Sequence, residues 1–326
     1  MSTGPAPDDP AGVDLLAALE AVDEPDPDAR FSTAWKLLIR CADRDAFEVA
    51  LDLALERELV PMEFGALIRG GWDSNDPAPS WINPIDESEM IWITPGPFHI
   101  GEDRRRVESP GFFLARHPVT NTQYRRFLDK TGYNPPPDDL DPPGWRPLRW
   151  SQGGTPPMKA DHPVVGVSFL DALYYCRWAG LALPTEWLWE KAARGPEGHR
   201  FPWGQLRDVR DLTGLARVHA EDTCPVGSFP RTRSPYGCED LIGNVAEWCW
   251  TQEPDDAGRL TAEILASDAS AIAPSALMSI RGSAYMRHQV SRMAAWHRAQ
   301  LSASRRNRWV GFRPAFYSLA FAQPDR

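Results

Sequence analysis

The chain has 326 residues, 42% of them apolar and 25% charged, a composition typical of globular proteins and not of disordered ones. A formal net charge of −10 argues against a nucleic-acid partner, and no apolar run approaches the ~20 residues that a membrane span needs. The 32 prolines and 14 tryptophans predict much irregular backbone around a Trp-rich core.

The acidic residues are concentrated toward the N-terminus. Residues 1–88 contain 19 acidic and 6 basic side chains, whereas the rest of the chain contains 26 and 29. This asymmetry predicts an acidic helical region over 1–72, a linker over 73–88 and a second domain over 89–326. The first residues have neither a basic segment nor an apolar run, and the five cysteines are scattered. We therefore expect a cytoplasmic protein with reduced thiols.

Apolar residues recur at helical spacing through the first region. They predict four helices, placed around Leu15 and Leu19, over 35–41, from Asp45 onward and from Pro61 onward. No catalytic constellation is visible in this region. We expect these helices to contact a protein partner.

The second domain alternates short strands with short helices. The pattern predicts strands within 90–103, at the start of 112–133 and at 164–167. It predicts helices that begin at Thr120 or Asn121, at Ser168 and after Pro184-Thr185-Glu186. Asp171, three residues after Ser168, would complete a capping box.

Six sequence blocks then follow a recognisable order. HPVVGVSFLDALYYCRWAGLALPTEWLWEKAARG (162–195) is followed by FPWG (201–204), PVGSFP (225–230), SPYGCEDLIGNVAEW (234–248), RGSAY (281–285) and VGFRP (310–314). In content and order they resemble the formylglycine-generating-enzyme (sulfatase-modifying-factor) family, from Met90 to Pro314. The resemblance implies an α+β protein with a variant C-type lectin fold, small antiparallel sheets and long loops.

The resemblance also locates a lost copper site. Active members of that family oxidise a substrate cysteine at a copper(I) ion held by two cysteines, which follow a GGSY-like turn. Aligning GSAYM with this turn puts Arg287 and Arg292 at the two cysteine positions and Ala284 at the turn serine, and no cysteine lies within 281–313. Guanidinium groups cannot ligate copper. We therefore predict no copper, no catalytic residue of the family type and no formylglycine generation.

Other redox metals find little support in the sequence. His288 and His297 lie near the lost copper positions, but they lack both i, i+4 spacing and an adjacent carboxylate. The ergothioneine-type relatives of the family carry iron ligands on an extra helical domain with a His-x3-His-x-Glu motif. Residues 1–88 contain no histidine, so this route to an iron site is closed.

Calcium is a better candidate for the GNVAEW block. The resemblance implies a structural Ca²⁺ there, with Asn244 and Glu247 at the ligand positions and Val245 offering its carbonyl oxygen. Hard oxygen ligands on a tight turn suit this ion. We expect calcium as the one metal of the protein.

The segment 281–313 carries eight arginines and no acidic residue. Such a segment either pairs with carboxylates elsewhere or presents its charge to an anionic partner. Arg, Trp, Tyr and His are enriched at binding hot spots. The variable proteins of diversity-generating retroelements, which share the resemblance, carry their changeable residues in this stretch.

We therefore predict a non-catalytic recognition protein that displays 285–309 to a protein or peptide ligand. The contacting side chains would be Tyr285, Arg287, His288, Arg292, Trp296, His297, Arg298 and Trp309. The alternative is a diverged non-haem metal-dependent oxidase or oxygenase of the same superfamily. We expect neither nucleic acid nor membrane as a partner.

Overall fold

The structure, a computed structural model, describes residues 15–25, 30, 33–34, 37–38, 44–60, 80–135, 159–204, 216–253, 264, 269–286 and 290–316. In chain order the helices are α1 (Leu15–Glu20), α2 (Arg44–Glu56), α3 (Asn121–Thr131), α4 (Phe169–Ala179) and α5 (Glu186–Arg194). The strands are β1 (Ser80–Ile82), β2 (Glu89–Ile93), β3 (Gly96–Ile100), β4 (Arg105–Ser109), β5 (Phe112–Ala115), β6 (Ala246–Cys249), β7 (Leu277–Arg281), β8 (Arg298–Ser302), β9 (Val310–Gly311) and β10 (Ala315–Phe316).

Three small sheets organise the described strands. One is antiparallel with the order β1-β2-β5-β10, the second is the hairpin β3-β4, and the third has the order β8-β7-β6-β9. In the third sheet β6 pairs with β9 in parallel and with β7 antiparallel. The short helices and small sheets form the α+β architecture that the sequence predicts, and long irregular segments connect them.

Local sequence signals explain where the helices begin. Thr120 caps α3 and forms a capping box with Gln123, as Ser168 does for α4 with Asp171. Thr185 caps α5 by accepting a hydrogen bond from the backbone N–H of Leu188. Each cap satisfies N–H groups that lack partners inside the helix. The three predicted helix starts are therefore confirmed.

The predicted strand at 164–167 is wrong. These residues form an irregular segment, although the Val164 and Val167 side chains are fully buried. The backbone N–H of Val164 donates to the Val119 carbonyl at 2.8 Å. The apolar run therefore reflects burial and not strand pairing.

The segment assigned to the linker contains ordered structure at its end. Residues 80–82 form β1, which pairs with β2, and Asp86 is fully buried. The Asp86 carboxylate accepts hydrogen bonds from Tyr175 Oη at 2.8 Å and from Ser88 Oγ at 2.7 Å. The division into two domains stays a prediction, and any boundary between them would precede Ser80.

The N-terminal helices share a core with the sheets. Leu19 of α1 and Leu51 of α2 belong to the same contiguous buried cluster as Trp81, Ile91 and Phe113. Helices α1 and α2 are at the predicted places. The predicted helix from Pro61 onward and most of the one over 35–41 lie outside the described residues.

Candidate functional site

Four of the eight arginines in 281–313 make ion pairs inside the fold. Arg313 binds Glu247 through Nε and Nη2, both at 2.7 Å, and Arg306 binds Asp171 at 2.8 and 2.9 Å. The buried Arg281 donates to Glu190. Arg298 lies 2.8 Å from Glu186. Arg281, Arg306 and Arg313 are buried and therefore structural, whereas the Arg298 side chain is 37% exposed and its predicted role in ligand binding stays a prediction.

The carboxylates that pair with Arg281 and Arg298 are contributed by α5. Glu186 and Glu190 are fully buried beside Arg281, which also stacks over Trp187 and Trp189. Burial raises the pKa of Glu186, while the nearby Arg281 acts in the opposite direction. The sequence analysis did not predict Glu186 and Glu190 as partners of the arginines. The one signal in the sequence is their spacing of one helical turn, which puts both side chains on the same face of the helix.

The predicted calcium turn holds a different ion pair. Both Glu247 oxygens accept from Arg313, and one also accepts from Trp189 Nε1 at 2.6 Å. The Asn244 side chain accepts a hydrogen bond from the backbone N–H of Cys224 and donates one to the Cys224 carbonyl, both at 3.1 Å. The bonds to Glu247 use three of the roughly four acceptor positions of its carboxylate, so a calcium ion there would compete with Arg313. Calcium at Asn244, Val245 and Glu247 stays a prediction.

A small depression lies where the resemblance places the lost copper site. Its polar lining comes from Ser283, Arg292, His297 and Trp309, and its apolar walls from Ala246, Ile280, Ala284 and Ala299. Its volume is about 10 Å³, which is room for one water-sized group. Arg292, at a former copper-ligand position, is exposed to solvent.

The turn after β7 shapes this depression. Gly282 has φ +74°, and a Cβ there would lie 2.6 Å from the Leu241 carbonyl oxygen. Only glycine fits so close an approach. The next residue, Ser283, is 2% exposed, and its Oγ has no hydrogen-bond partner among the described residues. In the sequence, Ser283 is distinguished only by its place in the GSAYM turn.

The predicted ligand-binding residues separate into three groups. Arg292, His297 and Trp309 line the depression. Tyr285 is buried with its hydroxyl 3.4 Å from the Arg308 carbonyl, Trp296 stacks on Arg194 and Arg200, and Arg298 pairs with Glu186. Arg287 and His288 lie outside the described residues.

No group of three His, Cys, Asp or Glu side chains that could hold a metal ion occurs in the part of the chain that the structure describes. His297 is the one residue of these types that lines the depression. The described residues therefore do not fit a complete iron site, and the absence of copper stays a prediction. Likewise, within the described ranges no helix has the length and apolar character to cross a membrane.

Comparisons with known proteins identify the family. The model of the sulfatase-modifying factor enzyme 1-like domain matches residues 79–316. The chain belongs to this family, and the predicted recognition is confirmed. The solved structure of PvdO from Pseudomonas aeruginosa superposes with a TM-score of 0.59 at 24% identity, covering 74% of this chain and 99% of that one. This likeness supports the predicted variant C-type lectin fold.

The curated relatives include named enzymes. A hercynine oxygenase of Mycolicibacterium smegmatis is 31% identical over 272 residues, covering 73% of this chain and 59% of that protein. The mouse formylglycine-generating enzyme is 28% identical over 225 residues, 52% of this chain and 60% of its own length. The matched part of the chain therefore spans less than two thirds of the length of each of these two relatives.

These relatives correct the predicted function. A second hercynine oxygenase, from Mycobacterium tuberculosis, is 34% identical over 170 residues, 45% of this chain and 39% of that protein. Enzymes at this identity overturn the prediction of a non-catalytic recognition protein. They favour its alternative, a diverged oxygenase of the same superfamily.

Proposed function

We propose that the chain is an oxidoreductase, a diverged oxidase or oxygenase that acts on a small substrate at the depression lined by Ser283, Arg292, His297 and Trp309. The observation that carries this proposal is the 31% identity over 272 residues to a hercynine oxygenase. The depression supports it, because it is lined by Arg292, one of the two positions that the resemblance assigns to copper ligands.

The side chains around the depression suit substrate binding. Trp309 and the apolar walls shield the bound group from water, and the exposed Arg292 offers a cation at the rim. His297 contributes an imidazole there, a side chain that often serves as a general acid or base. Oxidation by O₂ requires a redox metal or an organic cofactor. The described residues do not fit a metal site of three ligands, so we assign no step to a metal.

Oxygen uptake by the full-length chain tests the proposal. The protein would be preincubated with Fe(II) or with Cu(I), and O₂ uptake recorded with hercynine, with cysteine and with both together. We expect uptake that depends on substrate and protein, and that falls at least about tenfold in a His297→Ala variant, a loss typical of removing an acid–base group.

An Arg231→Gln variant provides the matched control, because Arg231 is exposed and does not line the depression. Its uptake should equal that of the wild type. If no combination of metal and substrate gives uptake above the protein-free rate, the oxidoreductase proposal is wrong.

A cytoplasmic location is part of the same proposal. The four described cysteines, Cys176, Cys224, Cys238 and Cys249, are free thiols, which is the state expected in a reducing compartment. Cell fractionation with a tagged full-length chain tests the location directly.

A further inference from the structure

The depression contains a buried hydroxyl that lacks a partner. Ser283 Oγ is shielded from solvent and makes no hydrogen bond within the described part of the chain. Leaving a buried hydroxyl unpaired costs about 1–3 kcal/mol. Native proteins satisfy most such groups with protein atoms, water or a ligand. An oxygen atom in the depression would supply the missing partner.

The charge around the depression favours an anion. Within the described part of the chain no acidic side chain lines it, and Arg292 makes no ion pair with any carboxylate there. The neighbouring buried carboxylates are already neutralised, since Glu247 binds Arg313 and Glu190 binds Arg281. The exposed guanidinium of Arg292 is therefore left as the dominant charge at the rim.

We propose that this depression binds the carboxylate of a small substrate. One carboxylate oxygen occupies the water-sized space and accepts a hydrogen bond from Ser283 Oγ, while Arg292 pairs with the other oxygen. The volume of about 10 Å³ admits a single oxygen atom, which would replace a water molecule of the same size. Guanidinium groups suit this task because their donors match carboxylate geometry.

This inference rests on the proposed function in one respect, because it takes the bound carboxylate to be part of the substrate. Its test measures binding and not oxidation. L-Cysteine and cysteamine form a matched pair of probes, because they differ by the carboxylate alone. Their affinities for the full-length chain would be measured by ligand-observed NMR under anaerobic conditions, and sodium acetate would serve as a competitor.

We expect cysteine to bind at least tenfold more tightly than cysteamine, and acetate to displace cysteine. Arg292→Gln and Ser283→Ala should each weaken cysteine and acetate at least threefold without changing cysteamine. Arg292→Lys should restore part of the affinity, because it keeps the charge but not the planar donors. Arg231→Gln, which changes an exposed arginine outside the depression, should leave all three affinities unchanged.

Equal affinity for cysteine and cysteamine, or no displacement by acetate, would overturn the inference and leave the depression as a site for a water molecule. Neither Arg292→Gln nor Ser283→Ala should lower the melting temperature, so that loss of binding is not loss of fold. Oxygen uptake without a carboxylate preference would refute this inference and leave the oxidoreductase intact. A carboxylate preference without oxygen uptake would support this inference and refute the oxidoreductase proposal.

Discussion

The arginine at position 313 has the most complete set of contacts among the described arginines of the C-terminal segment. It is fully buried, binds both oxygens of Glu247, and also donates to the carbonyls of Ala115, Arg116 and Glu239. These contacts join the loop after β9 to β5 and β6. A guanidinium at this position therefore connects two of the three sheets.

Replacing this arginine should be strongly destabilising. Arg313→Met leaves the buried Glu247 carboxylate without its cation, which typically costs about 3–5 kcal/mol of unfolding free energy. Urea unfolding measures the change. The control is Arg106→Met, because Arg106 pairs with Glu108 at 3.6 Å and the two side chains are 68% and 67% exposed, and exposed pairs contribute about 1 kcal/mol or less. Equal effects of the two substitutions would contradict this account.

Calcium binding is also decided by individual residues. If Asn244, Val245 and Glu247 hold Ca²⁺, chelation should lower the melting temperature, because an ion bound only to the folded state stabilises it by mass action. Identical melting curves in EGTA and in millimolar calcium would remove the calcium prediction. Glu247→Ala cannot decide the question, since it also removes the carboxylate partner of the buried Arg313. Chelation of the wild-type protein is therefore the decisive measurement.

At the scale of elements, α5 organises the hairpin β3-β4 through one buried lysine. Lys191 Nζ donates to the Thr94 and Gly96 carbonyls at 2.6 and 3.2 Å and to Ser109 Oγ at 2.8 Å. Burial lowers the pKa of Lys191 from 10.5 to about 7. Its three donors are satisfied by neutral oxygens, and this explains how an ammonium group is held in the interior without a directly bonded carboxylate.

This lysine should make stability depend on pH. Because its folded pKa lies below the unfolded value, the unfolded chain binds more protons between pH 7 and 10.5, and stability rises with pH in that window. The gain is at most about 1.4 kcal/mol per pH unit. Urea unfolding at pH 6, 7.5 and 9 should show wild type gaining stability relative to Lys191→Met between pH 7.5 and 9. A constant difference between the two proteins would exclude this effect.

At the scale of the whole molecule, the N-terminal helices and the family domain are joined through apolar contacts. Leu19 and Leu51 share one buried cluster with Trp81, and β1 completes the first sheet. Two independent domains and one cooperative unit remain the alternatives. The family match, which begins at residue 79, places β1 with the domain.

Truncation and proteolysis separate these alternatives. If the parts are separate domains, limited proteolysis before residue 80 should release a stable fragment, and a chain beginning at Ser80 should unfold cooperatively. A chain beginning at Ser88 should be less stable than this, because it lacks β1, the buried Trp81 and the Asp86 hydrogen bonds. An insoluble chain from Ser80, with no protease-resistant fragment, would show that the two parts fold as one unit.

The sequence alone determined the features that depend on neighbours along the chain. The Thr120, Ser168 and Thr185 caps were predictable, since each bonds to a backbone group three residues away. The family and its lectin-type fold were predictable from ordered blocks of residues. The predicted loss of the copper ligands rests on Arg287 and Arg292 alone and stays a prediction.

The tertiary structure decided which charges are available to a ligand. Eight arginines look alike in the sequence, yet Arg313 and Glu247 are 66 positions apart and Arg306 and Asp171 are 135 apart. Ion pairs over such separations depend on how sheets and helices pack, which local patterns do not encode. The same packing buries Ser283, leaves its hydroxyl unpaired and places it beside the exposed Arg292.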